Sequence, residues 1–198
     1  IRWMVAIILV LNALAALPAA AGAPAQPQTD DFIVSAETDG VVLDLTVPAY
    51  TIETLTHDGV AYQRVVVADD DWTNAGEAGT PSLPQRGVML AAPPTGEVTL
   101  EILDVAWQTV AGTFRIAPAP AQVLQGEGDA AQVVEQWQLD AAAYVRRAPL
   151  PAQPVTINEE GWLRGYRFVR LTVQPFQFNP ASGELRVAAG VRVRVRFS

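Results

Sequence analysis

From Val41 onward the chain alternates apolar and polar positions with a period of two. Successive side chains of a β-strand point to opposite faces, so this period predicts strands with one buried and one wet face. VVLDLTV (Val41–Val47) follows it, and the closing stretch VRVRVRFS follows it furthest. There Val191, Val193, Val195 and Phe197 form an apolar face expected in the core, while Arg192, Arg194 and Arg196 form a cationic face expected in solvent. YTIETLT and VAYQRVVV flank His57-Asp58-Gly59, which predicts a hairpin with Asp58-Gly59 as its turn. DDDWTNAGEAG reads as a loop, RGVMLAA as a short strand, Pro93–Gly96 as a turn and Glu97–Val110 as a long strand. A proline biases the residue before it away from helix, so IAPAPA (Ile116–Ala121) is extended. RFVRLTVQPFQF and the closing strand form a last hairpin around NPASG (Asn179–Gly183), with Gly190 marking a bulge.

One stretch departs from this period. In DAAQVVEQWQLDAAAYV, Ala130, Val133, Val134, Trp137, Ala141 and Tyr144 fall near helical spacing, with Asp129 as N-cap, which predicts a short helix. No repeat or heptad is present. Many short strands with Gly/Pro turns and little helix predict an all-β protein, an antiparallel β-sandwich of jelly-roll or Ig-like type over residues 41–198.

The N-terminus has its own character. Arg2 precedes an apolar run from Trp3 to Leu17, broken by Asn12, and Ala19 and Ala21 fit an A-x-A cleavage pattern. Residues 1–21 are therefore expected to be a secretory signal peptide; the alternative is a retained anchor, for which the run is short. The polar, proline-bearing residues 22–40 are expected to be a flexible arm. Because the chain opens on Ile1, a start further upstream is expected.

Charge and composition narrow the function classes. The net charge is -8, and every basic residue other than His57 is an arginine. An acidic total argues against nucleic acid as a partner, since phosphate contacts need a positive footprint. Without cysteine there is no thiol nucleophile and no cysteine metal site. His57, the only histidine, lies at a hairpin tip with no nucleophile near it in sequence, and reads as a solvated turn residue. Asp69, Asp71 and Glu77 are candidates for calcium, but their spacing does not match the EF-hand loop, and a solvated loop is the plainer reading. Trp72 in that loop reads as a lid on the core rather than a sugar platform. No phosphate loop, HExxH or G-x-S-x-G occurs, and nothing calls for a cofactor. A binding, inhibitory or structural role is favoured over an enzyme.

An ordered string of motifs goes further. GTPSLP (Gly79–Pro84) leads into RGVMLAAPP; a long strand and IAP (Ile116–Pro118) follow; then come GWLRGYRFVRLTVQPFQFNPASGELRV (Gly161–Val187) and the alternating last strand. In this order, from about Tyr50 to Phe197, the chain resembles the N-terminal propeptide of gingipain-type secreted cysteine peptidases. The resemblance implies a β-sandwich prodomain that assists folding of a downstream catalytic domain and blocks its cleft until removed. It also implies that the catalytic residues belong to that further domain, that the partner is this domain of the same chain, and that no membrane is engaged once the signal is cleaved. The motif positions Gly79, Pro81, Leu83, Pro84, Pro118, Gly165, Pro175, Asn179, Pro180 and Gly183 have scaffold roles. Pro81 and Pro84 fix an extended crossing, Asn179, Pro180 and Gly183 build a turn, and Gly165 suits a close backbone approach. Arginine-specific relatives place a basic residue shortly after IAP; here Gln125 and Gly126 stand near that place. YVRRAPLP, with Arg146 and Arg147, is then the candidate cleft insert or processing site, against the plain reading of an exposed loop. A secreted adhesive or carbohydrate-binding sandwich is the alternative function, which Trp72 or Trp107 on an exposed face would favour.

Overall fold

The computed structural model describes residues 33–126 and 131–198. The expected signal peptide, most of the expected arm and the N-cap Asp129 lie outside the described residues. In chain order the first strands are β1 (Ile33–Glu37), β2 (Gly40–Thr46), β3 (Tyr50–His57), β4 (Val60–Val67), β5 (Thr73–Ala75) and β6 (Leu83–Ala92). β7 (Val98–Thr109), β8 (Ala121–Gln125), β9 (Gln132–Gln136), β10 (Val155–Leu163), β11 (Tyr166–Val173), β12 (Phe176–Asn179) and β13 (Glu184–Phe197) follow. Among the described residues no helix is long and apolar enough to cross a membrane.

The strands form two antiparallel sheets and two ribbons. One sheet runs β1-β2-β13-β12 with β7 on the other side of β13; the second runs β10-β11-β6-β5. β13 is the centre of its sheet. Its Arg186–Phe197 stretch pairs with β7 on one side, and on the other it pairs first with β12 and then with β2. The register slips between Ala188 and Gly190, as expected from the glycine. Val191, Val193 and Val195 are 3%, 0% and 0% exposed, so the valine face is the core face. They pack with Leu43 and Leu45 of β2 against Val169, Leu171 and Val173 of β11. Each such burial stabilises by about 1.5–3 kcal/mol. A second core cluster joins Val65 and Val67 of β4 to Phe176 and Phe178 of β12, Ile116 and Leu185. Tyr50 sets its ring edge against Phe176 at 5.0 Å.

The arginine face meets acids of its own domain. Arg192 lies 3.7 Å from Asp44, Arg194 lies 3.2 Å from Glu37 and 3.4 Å from Glu101, and Arg196 lies 3.6 Å from Glu101. Like charges two positions apart on one strand are tolerated because both flanking strands bring carboxylates to that face.

Four expectations need correction. Residues 33–37, assigned to the arm, form β1. Ser35, Ala36 and Glu37 are exposed, so this edge strand is held by its ladder to Val41–Leu43 and by the Glu37–Arg194 pair rather than by burial. Among the described residues the expected helix does not form: Val133 and Val134 lie in β9, which pairs with β8, and the helical spacing ends in a 3₁₀ turn at Ala143–Val145. Two adjacent β-branched residues favour the ribbon, and the helical spacing is coincidental. RFVRLTV does not join the last hairpin. It is β11 of the second sheet, and the chain changes sheet at Gln174–Pro175, so only FQFN pairs with ELRV. The loop DDDWTNAGEAG contains β5, which pairs with β6.

Candidate functional site

The GTPSLP crossing organises one end of the molecule. Gly79 has φ +86, and a Cβ there would stand 2.9 Å from the Asp140 nitrogen, so the position needs glycine twice over. Its N–H donates to the Ala119 carbonyl at 2.9 Å and its own carbonyl accepts from Asp140 at 3.0 Å. Ala119 donates to Thr80, Ser82 donates to Ala117, and Pro81 lies opposite Pro118. Both roots of the β8–β9 ribbon, at Ala119 and Asp140, are thereby tied to Gly79 and Thr80. Leu83 and Pro84 continue the crossing as buried residues of β6.

The ribbon pairs with no other strand. Leu124 and Val133 stand directly opposite each other and are 67% and 65% exposed. Gln125 and Gly126 lie exposed at its outer end. At its root Trp137 stacks on His57, ring centroids 4.3 Å apart, and meets the edge of Tyr62 at 5.7 Å. His57 thus packs on an aromatic face and lies 3.5 Å from Asp58, with no nucleophile in that contact set.

Beyond Asp140 the chain is pinned repeatedly. The Tyr144 hydroxyl donates to the Ile116 carbonyl at 2.6 Å. Burial, with Tyr62 adding, holds its phenol above the ordinary range, so it remains a donor. The Arg146 carbonyl accepts from Ala181 at 3.1 Å; Leu150 and Phe178 exchange backbone hydrogen bonds of 2.8 and 2.9 Å. Arg147, Ala148 and Pro149 arch between these anchors. Arg146 and Arg147 are exposed, and neither has an ion-pair partner among the described residues. Thr80, Pro81 and Glu77 line one groove with Arg146 and Leu150, so the crossing that roots the ribbon also backs the arginine arch.

The other candidates fall elsewhere. Asp69 and Asp71 lie 3.9 and 2.8 Å from Arg86, a resident cation, while Glu77 lines the arginine groove. The calcium trio is not brought together, and among the described residues no three such ligands cluster. Trp72 packs against both core clusters, as a lid does. Trp107 is covered by Arg186, whose guanidinium carbon is 4.3 Å from the ring centre, so neither tryptophan is an open sugar platform. Pro118 and Pro175 are buried. In the last turn Asn179 Oδ1 accepts from Ala181, and Gly183 has φ +71 and donates to the Asn179 carbonyl, with Pro180 between them. Gly165 corrects its expectation: with φ +86 and nothing within 4 Å of a built Cβ, it serves a turn rather than a close approach.

Sequence reasoning missed Gln177, which is 2% exposed in β12. Its Nε2 donates to the carbonyls of Pro151 and Ala152 at 2.8 and 3.1 Å, and its Oε1 accepts from Arg186 at 2.9 and 2.6 Å. A polar residue inside the apolar run PFQF was its signal.

Comparisons with known proteins fit this geometry. No curated protein matches the sequence. The chain is similar to a solved complex of the pro- and mature domains of RgpB from Porphyromonas gingivalis, at 20% identity and TM-score 0.71, covering 85% of this chain and 84% of that one. It is also similar to a structure addressing the zymogenic latency of gingipain K from Porphyromonas gingivalis, at 18% identity and TM-score 0.66, covering 82% and 88%. At these identities the likeness shows a shared fold. The family model Propeptide_C25 matches residues 33–198, and the chain therefore belongs to that family: it is a gingipain-type propeptide, the non-catalytic part of a cysteine peptidase zymogen.

Proposed function

We propose that this domain is an intramolecular inhibitor and folding aid for a cysteine peptidase domain following it in the same chain, exported by the signal peptide at residues 1–21. The observation that carries the inhibitory reading is the shared base of two protruding segments. The apolar ribbon and the pinned arginine arch both rest on Gly79–Pro81. An exposed apolar pair is suited to burial against a partner, and an unpaired arginine on a pre-ordered loop loses little entropy on insertion into a cleft. Arg146 and Arg147 take the part that a basic residue near Gln125 plays in arginine-specific relatives. The pairing of pro- and mature domains in the RgpB complex supports the choice of partner.

The test is inhibition by the isolated chain of its own activated catalytic domain, with the chain recovered and weighed afterwards. Potent inhibition with the chain intact is expected. Absence of inhibition at micromolar chain, or rapid digestion of the chain, overturns the proposal.

A further inference from the structure

Gln177 is the only buried side-chain amide in the second core cluster's strand β12, and it is spent entirely on holding other segments. Its two donated bonds end on Pro151 and Ala152, on the C-terminal side of the arginine arch. Its oxygen is held by Arg186, which stacks on Trp107 of β7. Arch, β12, β13 and β7 are thus joined through one amide group. On the N-terminal side of the arch, Arg146 is held by Ala181.

We propose that Gln177 is a positioning residue that makes the Arg147–Ala148 bond an inhibitor's bond rather than a substrate's; this rests on the inhibitory role of the arch given above. Hydrolysis of that bond adds the hydroxide of water to the Arg147 carbonyl carbon and a proton to the Ala148 nitrogen, breaking the C–N bond. A peptidase must bend the segment to reach that transition state: its nucleophile displaces the Ala148 amine to leave an acyl-enzyme on the Arg147 carbonyl carbon, and the amine must move away before water can displace the nucleophile in turn. Anchors on both sides oppose each requirement: the arch resists bending, and the ends stay in register for religation. With the amide latch gone, Pro151 and Ala152 lose their donors, and between the Leu150–Phe178 exchange and the Gln174 N–H that donates to the Pro154 carbonyl the C-terminal limb has no side-chain anchor left from Gln177. The arch then becomes an ordinary flexible arginine loop, which peptidases cut.

The discriminating variant is Gln177→Glu. It keeps the shape and an acceptor for Arg186 but removes both donors to the arch. The full chain is exposed to trypsin, and mass spectrometry follows the new N-terminus at Ala148 against that at Gly165. The latter follows Arg164 in the exposed β10–β11 turn and serves as an internal standard. A rise of more than tenfold in the Ala148/Gly165 ratio is expected for Gln177→Glu, and the shorter amide of Gln177→Asn, also usable should the first variant not fold, gives a smaller rise. Val88→Ala, a core truncation in β6, is expected to lower stability without moving the ratio. An unchanged ratio in the Gln177 variants, or an equal rise in Val88→Ala, overturns the latch. Against the cognate catalytic domain, the Gln177→Glu chain is expected to inhibit at first and lose inhibition as it is cut. A wild-type chain that never inhibits overturns the inhibitory role, while the trypsin ratio still judges the latch by itself.

Discussion

Arg194 and Glu101 face each other across β13 and β7, 3.4 Å apart, and the same carboxylate lies 3.6 Å from Arg196. Glu101 is therefore the shared counter-charge of two neighbouring rungs of the arginine face. It is 54% exposed, which places it among solvent-screened ion pairs. Glu101→Gln is expected to destabilise the domain by about 1 kcal/mol at low ionic strength, with the loss shrinking in 1 M salt. Urea unfolding at both salt concentrations measures it. An equal loss at both would mean that packing, not charge, is what Glu101 supplies.

The arch predicts unequal arginines. Arg146 has its backbone fixed by Ala181, whereas Arg147 begins the unsupported arc. Arg147→Ala is expected to raise the inhibition constant against the cognate catalytic domain by more than tenfold, since truncating a buried charge-assisted contact costs about 2–5 kcal/mol. Arg194→Ala, paired within its own sheet, should change that constant little. A strong effect at Arg194 alone would move the docking surface to the outer face of β13.

Gly183 and Gly165 share a positive φ but not their surroundings. At Gly183 (φ +71) a Cβ would meet Thr113 Cγ2 at 2.5 Å and the Phe114 carbonyl oxygen at 3.0 Å; at Gly165 (φ +86) it would meet nothing. Gly165→Ala should cost about 1–2 kcal/mol, the price of left-handed backbone. Gly183→Ala should cost clearly more, because steric overlap is added to it. Thermal unfolding of the two variants side by side tests the ordering, and equal shifts would contradict it.

Tyr144→Phe removes the hydroxyl that donates to the carbonyl of Ile116, a residue with 0% exposure. Leaving a buried acceptor unsatisfied is expected to cost about 1–3 kcal/mol. Amide exchange should quicken around Ile116 and Ala143–Val145 before it does in β13. Uniform quickening would indicate a global rather than a local loss.

Where local chemistry decides, the sequence was readable. The valine–arginine alternation set the facing of β13, Asp58-Gly59 set the β3–β4 turn with φ of 50 and 75, and Gly190 marked the slip against β7. The turn from Asn179 to Gly183 was equally legible, because asparagine and glycine satisfy it by themselves. The failures share a cause: they depend on partners distant in sequence. Nothing in RFVRLTVQPFQF says that its first half pairs with Leu90 and its second with Leu185. Val133 and Val134 fit helix or strand until β8 is present. The arginine arch was visible as a basic loop, but the bonds from Ala181, Phe178 and Gln177 that fix its shape were not, because each joins segments that only the folded sheets bring together.

The central place of β13 has a consequence for the order of synthesis. The strand that β2, β7 and β12 all need is the last of the described strands to leave the ribosome or the export channel. Until it arrives, β2 and β7 have unpaired edges on the sides that β13 will fill, and the closure of the first core cluster waits on Val191, Val193 and Val195. A domain assembled from such distant pairings folds slowly and not from its N-terminus forward. The two sheets can close on each other only after the arginines and valines of β13 have been made, so the earlier strands remain an open, extendable polypeptide for most of the domain's synthesis.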